Sequence, residues 1–534
     1  MQFKKTVYSA VFLIFPALAM GQSTYPQLGS KEYDLLSRME IKLSKDTVLN
    51  FLTDKPFSRK QLVGVIQSLD SNHENIAWTD IDRYNMENAL MDNSEWVSGT
   101  KEGFASKKPF LGVFYKTRPD FFEVDQKDFY LSVNPVLQLR AAKENGYNSM
   151  LFVNTRGVVI RGMIARRLGF QTYLTDNQER APQFVQSRIN QYEAVPGEGF
   201  YKHFKNTGVD YFDARGYLTF NAAKYLDFQF GYDKNFIGNG YRSLVLSDNS
   251  NSYLFLRINT QIWRLNYNVL FMELTPQFRK GGSDYLLPRK YAAIHHLSVN
   301  APKWLTVGIF DAIVFGRQDH FDFLYLNPVI FLRAAEQQAG SPDNALAGID
   351  LKANIAHSFQ LYGQLMLDEF KLSELRAGNG WWGNKFGLQL GGKYVDAFGV
   401  KNLDLQAETN WVRPFTYSHS DSVADYTHYN QPLAHPVGAN FKEFIGIARY
   451  QPARKWWIEG KLIAYAQGTD TAGENFGNNI FLPYTTRAGD YGFHIGSAKE
   501  AKCVNASLWL AYEWKENFFI EASVMIRKYS GQAA

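Results

Sequence analysis

Apolar and polar side chains alternate in stretches of eight to twelve residues from about residue 205 to residue 530. In the clearest stretch, 209–222, Phe212 and Phe220 lie on one face, whereas Asp213 lies on the other. Successive side chains of a strand point to opposite faces, so charges that recur in one register cannot lie in lipid and must line an interior. This pattern is typical of a transmembrane β-barrel.

Counting these stretches predicts a mostly β fold, an antiparallel barrel of about 16 to 18 strands with 18 as the best estimate. Very short connections such as Lys515–Asn517 alternate with long ones such as 413–439. If all short turns face the periplasm, the last strand ends outside, although the ends of such barrels normally lie inside. Either a strand within 314–346 or 468–502 is miscounted, or one tight turn faces out.

Tryptophans flank the ends of several predicted strands. They fit an interfacial aromatic girdle, although tryptophans also cap β structure of other kinds. The residues are Trp263, Trp304, Trp411, Trp456 and Trp514.

The region before the strands has a different period. Apolar residues recur there at spacings of three and four, first in the run Tyr33 to Leu43 and again in the run Leu62 to Leu69. Ser58 is a candidate N-cap for a second helix, and Thr79 with Asp82 marks the start of a third. We therefore predict a small helical bundle in a periplasmic region, 22–108, followed by a barrel with long loops, 109–534.

Lys4 and Lys5 precede an apolar run that ends in the small residues before Gln22, which predicts a signal peptide over residues 1–21. The full chain is aromatic-rich, at 16%, but its mean hydropathy is only −0.31, as expected when half of each strand faces water. We predict an integral protein of the outer membrane of a Gram-negative bacterium, in contact with outer-membrane lipid. The net charge of +5 is too weak to indicate a nucleic-acid partner.

A glycine-rich segment, 231–243, is dense in hydrogen-bonding side chains and is a candidate sugar or anion site. The alternative is a turn and loop in which Gly238 and Gly240 supply positive φ angles. The candidate binding residues of the segment are Asp233, Asn235, Asn239 and Arg242.

Charged residues on the polar faces of the strands are predicted to line the lumen. Because their signs are mixed, pairing across the lumen is favoured over ion selectivity. They are Asp213, Arg215, Asp227, Arg257, Glu408, Glu459, Lys461, Glu521 and Arg527.

Two aromatic and amide-rich loop segments, 379–384 and 426–431, suit carbohydrate because flat rings stack on sugar C–H faces while amides bond hydroxyl groups. The candidate ring residues are Trp381, Trp382, Tyr426 and Tyr429.

One long loop holds the possible metal ligands His419, Asp421, His428 and His435, but their spacing matches no compact site, so a solvated loop is favoured. The adjacent pair His295-His296 points to opposite faces of its strand. No hydrolase or metalloprotease motif stands out. We predict no metal, no cofactor and no enzymatic activity.

Two segments together resemble a known family of outer-membrane proteins. They are Glu32 to Lys42, followed by Lys55 to Lys60, and the run from Arg215 to Asp248 that includes Gly238-Asn239-Gly240. They are similar to the capsule-assembly family typified by Wzi and to its gliding-motility relatives of the RemB type. The resemblance implies an 18-stranded barrel after a periplasmic helical bundle, and no ligand residue can be carried over.

Three functions follow from these patterns and from the resemblance. The first is a non-enzymatic barrel that binds, anchors or helps assemble surface (capsular) polysaccharide. The second is an accessory subunit of a gliding-motility or type 9 protein-secretion complex. The third is a passive diffusion porin with a mixed-charge lumen. Fold can be argued from these residues, whereas the choice among roles rests on resemblance.

Overall fold

The computed structural model describes residues 23–72, 76–279, 285–318, 320, 322–471 and 473–531. The predicted signal peptide and Gln22 lie outside these residues. No helix among the described residues is both long enough and apolar enough to cross a membrane.

The described residues form one large antiparallel sheet of eighteen main strands that curls into a barrel, as predicted. A three-residue strand, Lys202–Phe204, adds to β5. The main strands are β1 (Phe122–Gln126), β2 (Phe129–Ala142), β3 (Leu151–Ile164), β4 (Leu168–Arg180), β5 (Gly208–Ala223), β6 (Leu226–Asp233), β7 (Tyr253–Ile262), β8 (Leu265–Leu274), β9 (Lys290–Asn300), β10 (Leu305–Phe315), β11 (Asn344–Ile355), β12 (Phe359–Glu369), β13 (Lys385–Tyr394), β14 (Leu403–Val412), β15 (Phe441–Ala453), β16 (Trp456–Thr469), β17 (Lys499–Lys515) and β18 (Phe518–Ser530).

The predicted alternation of faces is present in the strands. On β5, Phe212 and Phe220 are exposed on the outer wall, whereas Asp213 and Thr219 are buried in the interior. The ring of Phe220 stacks on Phe228 of the neighbouring strand at 4.9 Å between centroids. The barrel therefore has an apolar outer surface suited to lipid and a polar inner surface.

Strands are joined by short turns at one end of the barrel, the short-turn end, and by long connections at the other, the long-loop end. Four tryptophans lie at the short-turn end with 41–74% of their surface exposed, as an interfacial girdle requires. They are Trp263, Trp304, Trp456 and Trp514. Trp411 lies instead near the long-loop end of β14.

The last strand, β18, ends at the long-loop end. Neither a miscounted strand nor a tight turn at the long-loop end is needed to explain this. The first strand, β1, has only five residues, whereas β2 has fourteen. The chain consequently makes seventeen full crossings, and both β2 and β18 run from the short-turn end to the long-loop end. The first barrel strand begins at Phe122 rather than near Pro109.

Three N-terminal helices form a small bundle: α1 (Lys31–Leu43), α2 (Arg59–Asn72) and α3 (Asp80–Asp92). Its apolar core includes Leu36, Met39 and Leu62, which are fully buried. The third helix starts as predicted, because the Thr79 hydroxyl accepts from the Asp82 N–H and the Asp82 carboxylate accepts from the Thr79 N–H.

The bundle lies inside the barrel at the short-turn end, where buried polar contacts join it to the wall. Lys352 on β11 pairs with Glu40 at 2.7 Å, and His296 on β9 bonds Asp54 at 2.8 Å. Asn50 donates to the Lys303 carbonyl in a short turn at 2.6 Å. The bundle therefore plugs this end of the lumen.

The long-loop end is filled by connections that fold inward, 234–252 and 413–440, which we call the loop cap. Leu244 and Leu246 pack with Tyr417, Tyr426 and other buried apolar residues of the cap and the wall. Three further helices lie in connections at this end: α4 (Gln183–Tyr192), α5 (Leu332–Gln338) and α6 (Leu372–Ala377).

Candidate functional site: an aromatic platform and the lumen

Three aromatic rings meet at the long-loop end to form what we call the aromatic platform, Trp381, Trp382 and Tyr484. The ring centroids of Trp382 and Tyr484 are 4.7 Å apart, and those of the two tryptophans are 5.8 Å apart. The Arg487 guanidinium lies 4.3 Å from the Trp382 centroid. All three rings are only partly buried, although the Trp382 ring also packs edge-on against Phe415 at 6.3 Å and Lys385 lies 4.8 Å from the Tyr484 centroid.

Backbone hydrogen bonds between two connections, 370–384 and 470–498, hold the platform together. Phe493 N–H donates to the Gly380 carbonyl and Trp382 N–H donates to the Asp490 carbonyl, at 2.9 and 3.0 Å. Gly380 has φ +70°, and a Cβ there would lie 2.8 Å from the Phe493 nitrogen. Glycine is therefore required where the two connections cross.

Polar side chains surround the platform. Asn379 donates to the Glu374 carboxylate at 3.0 Å, and Lys371 pairs with Glu374 at 3.1 Å. These two contacts lower the pKa of Glu374, which therefore stays ionised. Arg487 also pairs with the exposed Asp490 at 2.7 Å. Aromatic surface beside amide groups can stack on sugar rings and bond their hydroxyl groups.

A cavity of about 1370 Å³ lies in the lumen between the bundle and the loop cap. Tyr33 and Asp34 of α1 line it on one side, and Asn239 and Tyr241 line it on another. Charged side chains of both signs face it from the bundle, the connections and the strands. They are Asp34, Glu40, Lys55, Arg140, Lys143, Glu144, Asp248, Lys393, Arg449, Glu459, Lys461 and Arg527.

The bundle and the loop cap meet in the middle of the lumen. The short strand Asp54–Lys55 pairs with Phe236–Ile237, and Thr53 donates to the Asn239 side chain at 2.9 Å. Lys55 lies 4.4 Å from the Phe236 ring centroid, and burial lowers the pKa of its ammonium to about 8. The bundle and the loop cap thus hold each other in place.

The glycine-rich segment is fixed to the wall of the barrel. The Tyr241 and Arg242 N–H groups donate to the Glu408 carboxylate at 2.7 and 3.1 Å. The Arg242 side chain pairs with Glu443 at 3.5 Å. Asn235 is buried, and its N–H donates to the Tyr253 hydroxyl, whereas Asp233 lies at the end of β6.

The four predicted ring residues separate into two groups. Trp381 and Trp382 lie together on the platform. Tyr426 is buried in the loop cap, where its hydroxyl donates to the Val245 carbonyl at 2.7 Å. Tyr429 is only 9% exposed and packs edge-on against Phe278. The structure therefore does not bring Tyr426 and Tyr429 to the platform.

Several of the predicted lumen residues are paired with neighbours. Arg215 donates to Asp213 at 2.8 Å, and the Asp227 carboxylate accepts from Asn221 at 2.6 Å. Arg257 donates to the Pro56 carbonyl of the bundle at 3.0 Å.

The others lie around the cavity or near it. Lys461 pairs with Glu459 at 2.9 Å, and Arg527 lies over the Phe184 ring. Glu521 is exposed on β18, two residues beyond Phe519, whose ring faces Lys31 of the bundle. Residues two apart share a strand face, so Glu521 also points inward.

The predicted histidine candidates do not converge. His428 lies between the Thr275 N–H and the Ser252 carbonyl, whereas His435 bonds Glu443 at 2.7 Å. His419 lies near the Tyr484 ring. Across the described ranges of the chain, no group of three His, Cys, Asp or Glu residues is arranged to hold a metal ion.

Sequence reasoning missed Tyr484, Arg487 and Asp490, which complete the platform. Their connection follows β16, about one hundred residues after the two tryptophans, and has no periodic pattern. The sequence signal that could have identified them was the composition of one long loop, which contains an aromatic residue and an arginine.

Comparison with known proteins supports the fold. No protein-family model and no curated protein matches the sequence. Among solved structures, the chain is similar to Wzi of Escherichia coli, an outer-membrane protein involved in group 1 capsule assembly and described as a carbohydrate-binding β-barrel. The TM-score is 0.56, and the match covers 96% of each chain at 10% identity.

Two Pseudomonas aeruginosa barrels are similar over less of the chain. OprD covers 76% of this chain and 90% of its own at 10% identity, with a TM-score of 0.39. OccD3 covers 77% of this chain and 88% of its own at 11% identity, also with a TM-score of 0.39. The protein therefore has a β-barrel fold of the kind seen in the outer-membrane protein Wzi.

Proposed function

We propose that the protein is a non-enzymatic outer-membrane barrel that binds surface polysaccharide and helps to hold or assemble it. The aromatic platform carries this proposal. Its partly exposed rings, beside Asn379, Arg487 and Asp490, offer stacking together with hydrogen bonds at the end of the barrel opposite the plug. The carbohydrate binding described for Wzi, whose fold is similar, supports the same role.

The direct test measures binding of purified capsular or surface polysaccharide fragments to the protein in detergent. We expect Trp382→Ala to weaken binding at least about tenfold, which corresponds to about 1.4 kcal/mol, because the central ring of the platform is lost. Trp514→Ala is the matched control, since Trp514 is 56% exposed at the short-turn end, far from the platform.

Two results contradict the proposal. One is a wild-type protein that binds no fragment of the surface glycan of its own cell. The other is equal loss of binding in the Trp382→Ala and Trp514→Ala variants. In cells, a strain that lacks the protein and keeps its surface glycan unchanged also contradicts a role in retention or assembly.

The lumen cavity favours a second candidate, a passive diffusion channel. A space of about 1370 Å³ with walls of mixed charge would pass small polar solutes if the bundle or the loop cap moved. Planar-bilayer recording tests this candidate: steady conductance of the wild-type protein supports it, and a closed barrel eliminates it. A role in a motility or secretion complex stays a prediction that rests on the family resemblance.

A further inference from the structure

The connection between β10 and β11 folds over the outside of the barrel. Its residues 322–339, which we call the outer flap, include α5 and pack on the wall through the buried side chains of Tyr325 and Leu332. On β9 and β10 the inward residues include His296 and Phe310, so the residues that alternate with them face outward. The outward residues under the flap are only 0–6% exposed. They are Val269, Phe271, Tyr291, Ala293, Ile313 and Phe315.

Polar side chains of the outer wall lie under the flap and bond its backbone. The Tyr267 hydroxyl donates to the Pro328 carbonyl. The Asp311 carboxylate accepts from the Leu332 N–H at 2.6 Å. His295 is the direct partner of Asp311 across the ladder, and its Nδ1 lies 3.5 Å from that carboxylate. The wall thus offers the irregular backbone of the flap hydrogen-bond partners that hydrocarbon cannot offer.

The flap reaches the depth of the hydrocarbon. Trp304, in the girdle at the short-turn end, immediately precedes β10, and Asp311 is seven residues further along the chain. Seven residues of a strand tilted by about 40° rise about 18 Å, whereas the apolar band of a membrane barrel is about 25 Å tall. Leu332, which bonds Asp311, therefore lies at a level inside the membrane.

The surface of the flap that faces away from the wall is apolar at this level. Val329 is 82% exposed and Phe331 is 55% exposed. Ile330, between them, packs instead against the wall cluster. The uncovered Ile309 lies two residues before Asp311 on the outward face of β10 and is 53% exposed. The outer side of the flap therefore continues the apolar surface of the barrel.

We infer that the outer flap is embedded in the membrane, with Val329 and Phe331 in contact with acyl chains of the leaflet nearest the long-loop end. The inference rests on the outer wall of the barrel and is independent of the proposed glycan function. Continuity with the wall at Ile309 favours acyl chains as the partner, and the bonds from Tyr267 and to Asp311 satisfy flap backbone at this depth. The flap takes the place of lipid over β8 to β10 and covers polar groups that lipid could not pair.

Spin labels at single cysteines, in protein reconstituted in phospholipid liposomes, measure the depth of the flap. The background is Cys503→Ser, because Cys503 is the lone cysteine of the chain. A label at Val329→Cys should collide with dissolved oxygen as often as a label at Ile309→Cys on the wall. Its access to a water-soluble nickel chelate should be at least about tenfold lower than that of a label at Glu474→Cys, an exposed position in the connection after β16, because polar solutes are excluded from hydrocarbon.

Two results overturn the inference. Nickel access at position 329 equal to that at position 474 places the flap in water. Low access of both nickel and oxygen at position 329, with high oxygen access at position 309, means that protein covers the flap, such as a second copy of the chain.

A second measurement tests the attachment of the flap to the wall. Asp311→Ala removes the acceptor of the Leu332 N–H, so the mobile fraction of the label at position 329 should rise at least about fivefold. Asp311→Asn keeps an acceptor oxygen and should restore the wild-type spectrum. Val307→Ala, outward on the same strand but nearer the short-turn end, is the matched control. An Asp311→Ala spectrum equal to that of the control means that the wall does not hold the flap through these polar groups, and overturns the inference.

Discussion

The bundle and the loop cap, which fill the two ends of the barrel, are held in place by different interactions. The bundle at the short-turn end is attached through buried charges: Arg38 contacts Asp82 within the bundle and Asp396 and Asp404 on the wall side. The loop cap at the long-loop end shares an apolar core with the wall and also pairs buried charges with it, such as Asp425 with Lys290 at 2.7 Å. Tyr417 donates to the Leu244 carbonyl at 2.8 Å.

This difference indicates what the bundle and the loop cap each lose when they move. Losing one partner of a buried ion pair leaves an uncompensated charge, so charge pairing fixes the position of the bundle. Opening the loop cap would separate Lys290 from Asp425 and would also expose the apolar core that the cap shares with the wall, so both effects hold the cap.

Removing Arg38 should have the largest effect. Arg38→Met leaves Asp404 without this cation, whereas Asp82 and Asp396 keep Lys42 as a partner. Breaking a buried pair in this way costs about 3–5 kcal/mol. We expect the bundle to detach, which limited proteolysis of residues 31–92 and bilayer conductance would both detect. Arg83→Met, at an exposed position of α3, is the control. If the variant resists protease as well as the wild-type protein does, the bundle does not depend on charge pairing more than the loop cap does.

Acid should loosen the loop cap before the bundle. Burial lowers the pKa of His428 to about 3, and its Nδ1 accepts from the Thr275 N–H, so protonation would place a donor against a donor. The unfolded cap takes up this proton below about pH 6.5, so the stability of the cap falls as the pH drops from there, by about 1.4 kcal/mol per unit.

The stability of the bundle should change only at lower pH. Although burial raises the pKa of Asp82, hydrogen bonds and charges of Arg38 and Lys42 outweigh it and hold this pKa below the usual value of 3.8. Its contribution is present above that value and is lost only as the pH falls further. After correction for the slower intrinsic exchange at lower pH, protection from hydrogen exchange at pH 5 should therefore be weaker than at pH 7 in 244–252 but equal in 31–43. Equal loosening of both regions would contradict the comparison.

Of the three perturbations, Tyr426→Phe should have the smallest effect. The ring stays in the core, but the Val245 carbonyl loses its donor, which costs about 1 kcal/mol. Thermal unfolding of the cap, followed by exchange in 244–252, measures this loss. Tyr491→Phe, on an exposed side chain, is the control and should change nothing.

Much of the fold could be predicted from local patterns. The alternation in 209–222 identified β5 to within a residue at each end, and Thr79 with Asp82 marked the start of α3. Both signals depend on neighbouring residues alone. The early strands were harder to place: the expected start near Pro109 differs from the observed Phe122 because aromatic and polar residues there form a turn.

The candidate site could be predicted only in part. Trp381 and Trp382 are adjacent in the sequence and were found by composition, but Tyr484 and Arg487 reach them from another connection. Tyr426 had the same composition signal, yet burial in the loop cap turns its ring toward protein. Composition indicates what a side chain can bind, whereas tertiary packing determines which groups it contacts.

Local patterns along the chain are enough to predict the barrel and the bundle, because a period of two or of 3.6 residues selects strand or helix and its apolar face. The entry of the bundle into the lumen and the inward folding of the long connections follow instead from packing across the whole molecule. These outcomes depend on contacts between residues hundreds of positions apart, such as Glu40 with Lys352, which no local pattern encodes.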